Sequence, residues 1–464
     1  MADRSVATLS GDIAPIIRYH FKRDDFWAPS ILTAADLVAA ALELIPSLDD
    51  HAAIPGSAAP EAELEAAWAL LERALTLDPS FAPAHAVRGN LLVRRGNTGA
   101  ARRSYALAAR LDPYHAPVRI ALGELAFMAG DEREAAGWFD EAYGLTRRFS
   151  PAARTGARPA LVLATAGPWH RNIPLDFTVD PARWTLHRWY LPDDSAARPE
   201  FRLPAYDLVI DAIGESEGGR PALEQAAQFI AAQPKPAIND PRKVSGTARE
   251  ALSTTLRGIE GCRAAESRRV SRDELLRVAV DDPLIVRPAD AHGGHGLERI
   301  ENATVLAWYA GTFSADAYDV GPYVEYRSAD GFYRKYRVMF VDGEPYPYHL
   351  AIDAAWMIHY HRAPMAQNAW MREEERVFLT HPEQALPAWN GALRAAGAAL
   401  GLDYVGIDCT MLADGTLFVF EADAAMLVHG FDADPAKRAT FQAIRAALDG
   451  LLVRRAGEAA TFRA

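Results

Sequence analysis

Cysteine is nearly absent: Cys262 and Cys409 are the only two in 464 residues. They provide no disulfide framework and suit a reducing compartment. Lysine is almost as scarce, with 5 lysines against 44 arginines, so arginine is the default cation of this chain. There is no cationic surplus either. The net charge is −12 and no basic stripe is interleaved with aromatics, which argues against binding nucleic acid. Long apolar runs are missing as well. The longest, Leu37 to Ile45, is interrupted by Glu43 and stops at Pro46, far short of the roughly 20 apolar residues a bilayer demands. The first residues, Met1 to Asp24, show no basic stretch followed by an apolar one, as a secretory signal would. Together these absences predict a soluble, cytoplasmic protein with no membrane partner. Its length suggests about three domains.

What is present begins with a repeat. Leu77-Asp78-Pro79 recurs as Leu111-Asp112-Pro113, 34 residues on. At the same offset Gly89 matches Gly123 and Gly96 matches Gly130. Ala67, Ala101 and Ala135 coincide, as do Leu71, Tyr105 and Phe139, and Ala74, Ala108 and Ala142. A small residue lets two helices approach and a large one fills the space between repeats, so the pattern predicts stacked helical hairpins. It resembles tetratricopeptide repeats. We place an N-terminal segment at 1–58, with a helix near 31–45 capping the stack, and the repeats at 59–150.

Near the C-terminus a β-hairpin is predicted from Gly406-Ile407-Asp408-Cys409 to Phe420-Glu421-Ala422-Asp423, around Asp414-Gly415. That dipeptide favours a two-residue turn, which would set Asp408 opposite Glu421 with Cβ atoms about 5 Å apart. Asp423 lies two residues further on the same face. Like charges in this arrangement destabilise a sheet, so either a cation compensates them or the acids are scattered over a solvated hairpin end. A divalent ion such as Mg²⁺, which takes carboxylate oxygens and nucleotide phosphates, is the natural candidate.

Between the repeat and the hairpin, residues 159–164 and 206–211 read as buried strands, with a helix over 223–232. These predict a small α/β layer of parallel strands at 151–235. Further strands are expected at 236–239, 284–287, 323–327, 333–341 and 345–352, the last two joined by Asp342-Gly343. The ordered motifs resemble the ATP-grasp superfamily, in the branch of glutathione synthetase and the ribosomal-protein glutamate ligases. They are Ile238-Asn239-Asp240-Pro241 leading to Arg249; Leu284 to Pro288 followed by His292-Gly293-Gly294-His295-Gly296; Tyr336 to Pro345; and Asp408 with Phe420 to Asp423. The resemblance spans about residues 158–440 and implies a catalytic domain at 236–464. The expected fold is therefore α plus α/β multidomain: helical repeats, a small α/β domain and an α+β ATP-grasp domain.

The resemblance implies ATP and Mg as cofactors, with a carboxylate joined to an amine or thiol through an acylphosphate. Arg287 and Arg249 stand near positions where relatives carry lysine, and both would contact phosphates with the loop His292 to Gly296. Arg337 would steady the transferring phosphoryl group. Tyr323, Val324 and Glu325 fall at the hinge strand against adenine, and Lys335, alternating with Arg337, either faces the nucleotide or is a solvated strand charge. Asp408, Glu421 and Asp423 would be the metal ligands, Asp423 replacing a customary asparagine. Relatives recognise substrate near Trp356 to Arg362, where this chain departs from glutathione synthetase, so no substrate carries over. His359 and His361, an alternating pair, are expected at the surface or hydrogen-bonded rather than on a metal, as are His349 and His429, although His349 could line the cleft. The repeats would recruit a peptide or protein, and a homodimer is compatible with the sequence. Rival readings are a kinase on the same fold and a nucleotide-binding scaffold.

Overall fold

In a computed structural model, the residues described are 33–45, 61–151, 155–191, 203–289, 291, 294–360, 362–430, 432 and 434–461. They fall into two compact units divided between Thr146 and Arg147. No described helix is long and apolar enough to cross a membrane.

The first unit consists of helices α1 (Ala34–Leu44), α2 (Glu61–Leu77), α3 (Ala82–Arg94), α4 (Thr98–Leu111), α5 (Ala116–Met128) and α6 (Glu132–Leu145). The 34-residue offset in the sequence becomes an identical contact in space. A Cβ added to Gly89 would stand 2.3 Å from the Tyr105 ring, and one added to Gly123 would stand 2.8 Å from the Phe139 ring. Each glycine therefore lets a helix lie directly on the large residue of the next. The turns repeat too. Gly96 and Gly130 are left-handed at φ 72° and 80°, and Asn97 and Asp131 cap α4 and α6 by accepting from Ala100 N and Glu134 N. Helix α1 shares one buried cluster with α2: Leu37, Val38 and Ala41 pack with Leu64, Ala67 and Leu71. It thus takes the place of the first helix of a hairpin.

The second unit begins with β1 (Arg148–Phe149), β2 (Arg158–Thr165), β3 (Trp184–Leu191), β4 (Leu208–Asp211), helix α7 (Arg220–Ala232) and β5 (Ala237–Ile238). Its first sheet has the order β1-β3-β2-β4-β5, parallel except for β1. The α/β layer is thus as expected, with two strands missed, the short β1 and the long β3. Trp184–Leu191 hides its strand character because His187 and Arg188 interrupt the apolar run; Arg188 is ion-paired to Asp176 and His187 is bonded to Ser150 Oγ.

There follow α8 (Arg249–Thr255), β6 (Cys262–Ala264), β7 (Arg268–Ser271), β8 (Leu284–Pro288), β9 (Glu298–Ile300), α9 (Ala303–Thr312), β10 (Ala317–Pro322), β11 (Tyr333–Val341), β12 (Glu344–Asp353), α10 (Ala369–Thr380), β13 (Tyr404–Met411), β14 (Leu417–Asp423) and α11 (Pro435–Thr461). They form a four-stranded sheet, β7-β10-β8-β9, and a five-stranded one, β12-β11-β13-β14-β6. One core joins Leu161, Leu163 and Val209 of the first sheet to Val338, Leu350, Val405 and Ile407 of the last. A boundary at 235 would cut through that core, so 147–464 is one compact body. The opposite side of the last sheet, at Met339, Val341 and Tyr404, is covered by Ile444, Leu448 and Leu452 of α11.

Two turns with the same dipeptide fold differently. Asp342 and Gly343 both have positive φ, 53° and 78°, and Val341 pairs with Glu344, a two-residue turn as expected. At Asp414-Gly415 the expectation fails. Leu412 N–H donates to Thr416 O at 2.8 Å, enclosing three residues, with only Gly415 left-handed at φ 84°. The longer loop shifts the pairing by one, so Cys409 faces Val419. Phe420 then bulges, and Asp408 returns to face Glu421.

The glycine contacts give opposite expectations for alanine substitution in the first unit. Gly89→Ala should destabilise the helical hairpins by about 1–3 kcal/mol through overpacking. Gly137→Ala, where an added Cβ meets nothing within 4 Å, should stabilise by roughly 0.5–1 kcal/mol. Urea unfolding followed by far-ultraviolet circular dichroism checks both, and a destabilisation no greater for Gly89→Ala than for Gly137→Ala would refute the packing account.

Candidate nucleotide and acid-binding site

The site is organised by one rung across the last sheet. Arg337 pairs with His349 on one side and Asp408 on the other, and Asp408 pairs with Glu421. Directly paired residues share a face, so His349, Arg337, Asp408 and Glu421 stand in a row across four strands. Strand spacing of about 4.8 Å sets their separation.

Asp408 is completely buried. Its Oδ1 accepts from Arg337 Nε at 2.7 Å, its Oδ2 from Arg337 NH2 at 2.9 Å, and Lys335 Nζ also lies 2.9 Å from Oδ2. Burial pushes the carboxyl up, but Arg337 and Lys335 outweigh it and hold Asp408 well below the usual carboxylate range. The Arg337 guanidinium is correspondingly locked in its charged form: Asp408, aided by Glu421, overrides the burial that opposes it. Asp408 therefore already has its compensating cations, and they are a guanidinium and an ammonium.

Of the three expected metal acids, Asp408 is the one already paired with cations. Among the described residues no group of three His, Cys, Asp or Glu side chains is gathered so as to hold a metal. The physical reason is the pairing just described, which commits Asp408 to Arg337 and Lys335. Asp423 Oδ1 accepts from Ala425 N at 2.7 Å, and burial, despite that bond, pushes its carboxyl up to about 6, with Glu421 adding to the rise. An acid raised in this way is improved by a cation. Glu421 and Asp423 thus supply hard oxygen donors of the kind Mg²⁺ takes, and Asp408 has one of its roughly four lone-pair directions left.

The opposite charge collects across the site. Arg287, at the end of β8, is buried, and its Nε has no partner among the described residues. Arg287 and Arg249 both donate to Ala291 O, Arg249 at 3.1 Å. Burial pulls the Arg287 guanidinium down to about 10, and the neighbouring Arg249 pulls in the same direction. Two guanidiniums forced together around an unfilled donor are suited to an anion. Asp319, which the sequence reading missed, holds them there: it faces Arg287 across β8 and β10 and lies 3.4 Å from Arg249. A single acid within Tyr318-Asp319-Val320 was its only signal.

Of the glycine loop, His292 and Gly293 lie outside the described residues, as does His361. Gly294 and Gly296 are left-handed at φ 74° and 62°, and Gly296 O accepts from Tyr309 OH at 2.8 Å. A Cβ on Gly294 would lie 2.3 Å from the His359 ring. His359 is consequently part of the site and not a surface histidine. Burial lowers its pKa, as do Lys335 and Arg362, and its Nε2 is buried without a partner among the described residues. His295 is exposed, with its ring edge-on to Phe313.

The strand expected through Tyr323, Val324 and Glu325 is a loop. β10 ends at Pro322, which lacks a donor, and Glu325 Oε1 takes the backbone N–H groups of Tyr326 and Arg327 at 3.1 and 3.0 Å. Arg299 stacks 4.0 Å over the Tyr323 ring. His429 is held through its backbone by Tyr348 OH. His349 is 7% exposed and its Nδ1 is unpartnered among the described residues, while its ring packs 4.3 Å from Tyr360.

No protein-family profile matches the sequence, and no curated protein matches it. Among solved structures, the chain is similar to the VanG D-Ala:D-Ser ligase of Enterococcus faecalis, at 12% identity and a TM-score of 0.41 over 64% of this chain and 99% of that one. It is also similar to a RimK-domain ATP-grasp protein of Sphaerobacter thermophilus, with 13% identity, a TM-score of 0.38, and 64% and 99% coverage. The ATP-grasp ligase PsnB, complexed with a minimal precursor, Mg and ADP, gives 14% identity, a TM-score of 0.36, and 62% and 97% coverage.

The buried His349 carries a pH expectation. Burial, then Arg337, Lys335 and Lys437, hold its pKa well below 6.5, against the opposing pull of Asp408. Below pH 6.5 the unfolded chain binds a proton that the folded chain refuses, so stability falls as pH falls, by up to about 1.4 kcal/mol per pH unit. His349→Gln should reduce that acid-side slope, measured by urea unfolding between pH 7.5 and 5; identical slopes would refute it.

Proposed function

We propose that the protein is an ATP- and Mg-dependent ligase that joins a carboxylate to an amine or thiol through an acylphosphate. The observation that carries this reading is the opposition of two charged groups. The Arg249–Arg287 pair suits polyphosphate, and it lies within electrostatic reach of the hairpin end beside the buried Arg337–Asp408 pair, Glu421 acting on Arg287 and Arg249 on Asp423.

Arg249, Arg287 and the backbone around Gly294 would hold the phosphates, since a glycine loop leaves N–H groups accessible. Glu421 and Asp423, with Asp408 as third donor, would hold Mg²⁺, which when bound neutralises charge on the phosphates. In the first step a substrate carboxylate oxygen bonds to the γ-phosphorus while the bond to the β-phosphate oxygen breaks, releasing ADP. Arg337 would stabilise the equatorial oxygens, held in place by Asp408 so that no reorganisation is needed at the moment of transfer. The nucleophile then attacks the acyl carbon, inorganic phosphate leaves, and the nucleophile gives up its proton. The helical hairpins of the first unit would recruit a peptide or protein, since stacked repeats present extended surfaces. A cytoplasmic setting agrees with the two free cysteines.

Titration calorimetry with ADP and Mg²⁺ tests the site. Arg287→Ala should weaken binding about tenfold to hundredfold, the scale of a lost charged hydrogen bond. Glu421→Ala should abolish ATP-dependent ADP release while the helical signal of the first unit is retained. Mass spectrometry of mixtures with ATP and candidate peptides then separates the outcomes: a new amide or thioester with free phosphate supports the ligase, and phosphate left on the substrate indicates a kinase. Failure of the intact protein to bind Mg·ADP would overturn the nucleotide reading.

A further inference from the structure

Lys335 is one of five lysines in a chain that otherwise uses arginine. Its side chain is only 18% exposed, and Nζ lies 2.9 Å from Asp408 Oδ2. Arg337 already satisfies Asp408 through both oxygens, at 2.7 and 2.9 Å. The carboxylate therefore carries two cations on one negative charge, with Glu421 facing it from β14. The second cation takes the last direction on Oδ2, so a divalent ion could approach only through the one left on Oδ1, with the Lys335 charge close by to repel it. Lys335 is also not confined to Asp408. It alternates with Arg337 on β11 and influences His359, whose ring lies over Gly294 of the phosphate loop. A lysine stem is flexible and its ammonium is a point charge, so it can exchange one oxygen partner for another without moving the sheet.

We infer that Lys335 is an internal counter-cation that excludes free divalent ion from Asp408 and leaves it for a phosphate oxygen when metal and nucleotide enter together. This rests on the nucleotide reading above. Arg337 stays on Asp408 throughout, and Lys335 supplies the exchangeable contact. The consequence is a specificity for the metal–nucleotide complex over either component alone: the acids are shielded from bare metal, and the phosphates retain one cation in its absence.

Binding of Mn²⁺ alone, followed by the loss of the free-ion electron paramagnetic resonance signal, tests the inference without any turnover. Lys335→Met should bind free Mn²⁺ about tenfold more tightly than the wild type, because a repelling unit charge beside the ligand has gone. The polar Lys335→Gln should behave alike, so a folding defect confined to one variant does not obscure the result. The double variant Lys335→Met/Asp408→Asn should return to the wild-type affinity, showing that the gain is at Asp408. In calorimetry, metal-free ADP should bind Lys335→Met about tenfold more weakly. Unchanged or weaker Mn²⁺ binding by both single variants overturns the inference, whatever the nucleotide does. Absence of Mg·ADP binding by the wild type, with Mn²⁺ binding still tightened in the variants, would instead remove the nucleotide reading and leave Lys335 as a metal-excluding cation.

Discussion

The ion pair between Arg337 and Asp408 is the constraint from which the second unit follows. A fully buried carboxylate is tolerated only when its charge is met at close range and its lone pairs are used. Removing one partner of such a pair typically costs about 3–5 kcal/mol, because the other is left charged and unpaired. The pair therefore fixes which residues of β11 and β13 may face each other, and with that the register of the whole sheet. His349 and Glu421 are placed at the ends of the same rung as a consequence.

That rung divides the chemistry. On one side Glu421 and Asp423 form an acidic hairpin end, with Asp423 strained toward its protonated form by burial. Within electrostatic reach of it, Arg249 and Arg287 are crowded together and held by Asp319. Acid near crowded base is an arrangement that a bound metal–polyphosphate would relieve at both ends. Electrostatics of this kind depend on groups held in fixed places, and the sheet does the holding. The first unit is built on another principle. Its contacts are local and repeated, Gly89 on Tyr105 and Gly123 on Phe139, so its stability is a sum over neighbouring helices.

The difference explains how far each part can be read from sequence. The helical hairpins are legible because every contact recurs at a fixed spacing within one or two helices. The parallel strands 158–165 and 208–211 are legible as apolar runs, while Trp184–Leu191 is not, because its charges are neutralised by residues elsewhere, such as Asp176. The two Asp-Gly turns make the same point. Both carry the dipeptide, yet only Asp342-Gly343 forms the two-residue turn; Asp414-Gly415 lies in a wider loop, and the bulge at Phe420 restores the pairing of Asp408 with Glu421. The expected pairing is present, by a different route. Burial of Asp408 beside Arg337 supplies a reason: without the bulge Asp408 would face Phe420 and Glu421 would turn to the other side of the sheet.

By itself the sequence determined the composition of the site: arginines that can meet an anion, glycine where backbone must come close, and acids at the end of a hairpin. Those properties are local, set by side-chain chemistry and short spacing. Only the tertiary structure decided the partners. It gave Asp408 to Arg337 and Lys335 rather than to a cluster of three acids, drew His359 onto Gly294, and used Asp319 to bind Arg249. The residues concerned are separated by tens of positions in the chain, and burial makes each unpaired charge costly enough that folding must find it a partner. Which partner it finds depends on strand order and register, and no short stretch of sequence encodes either.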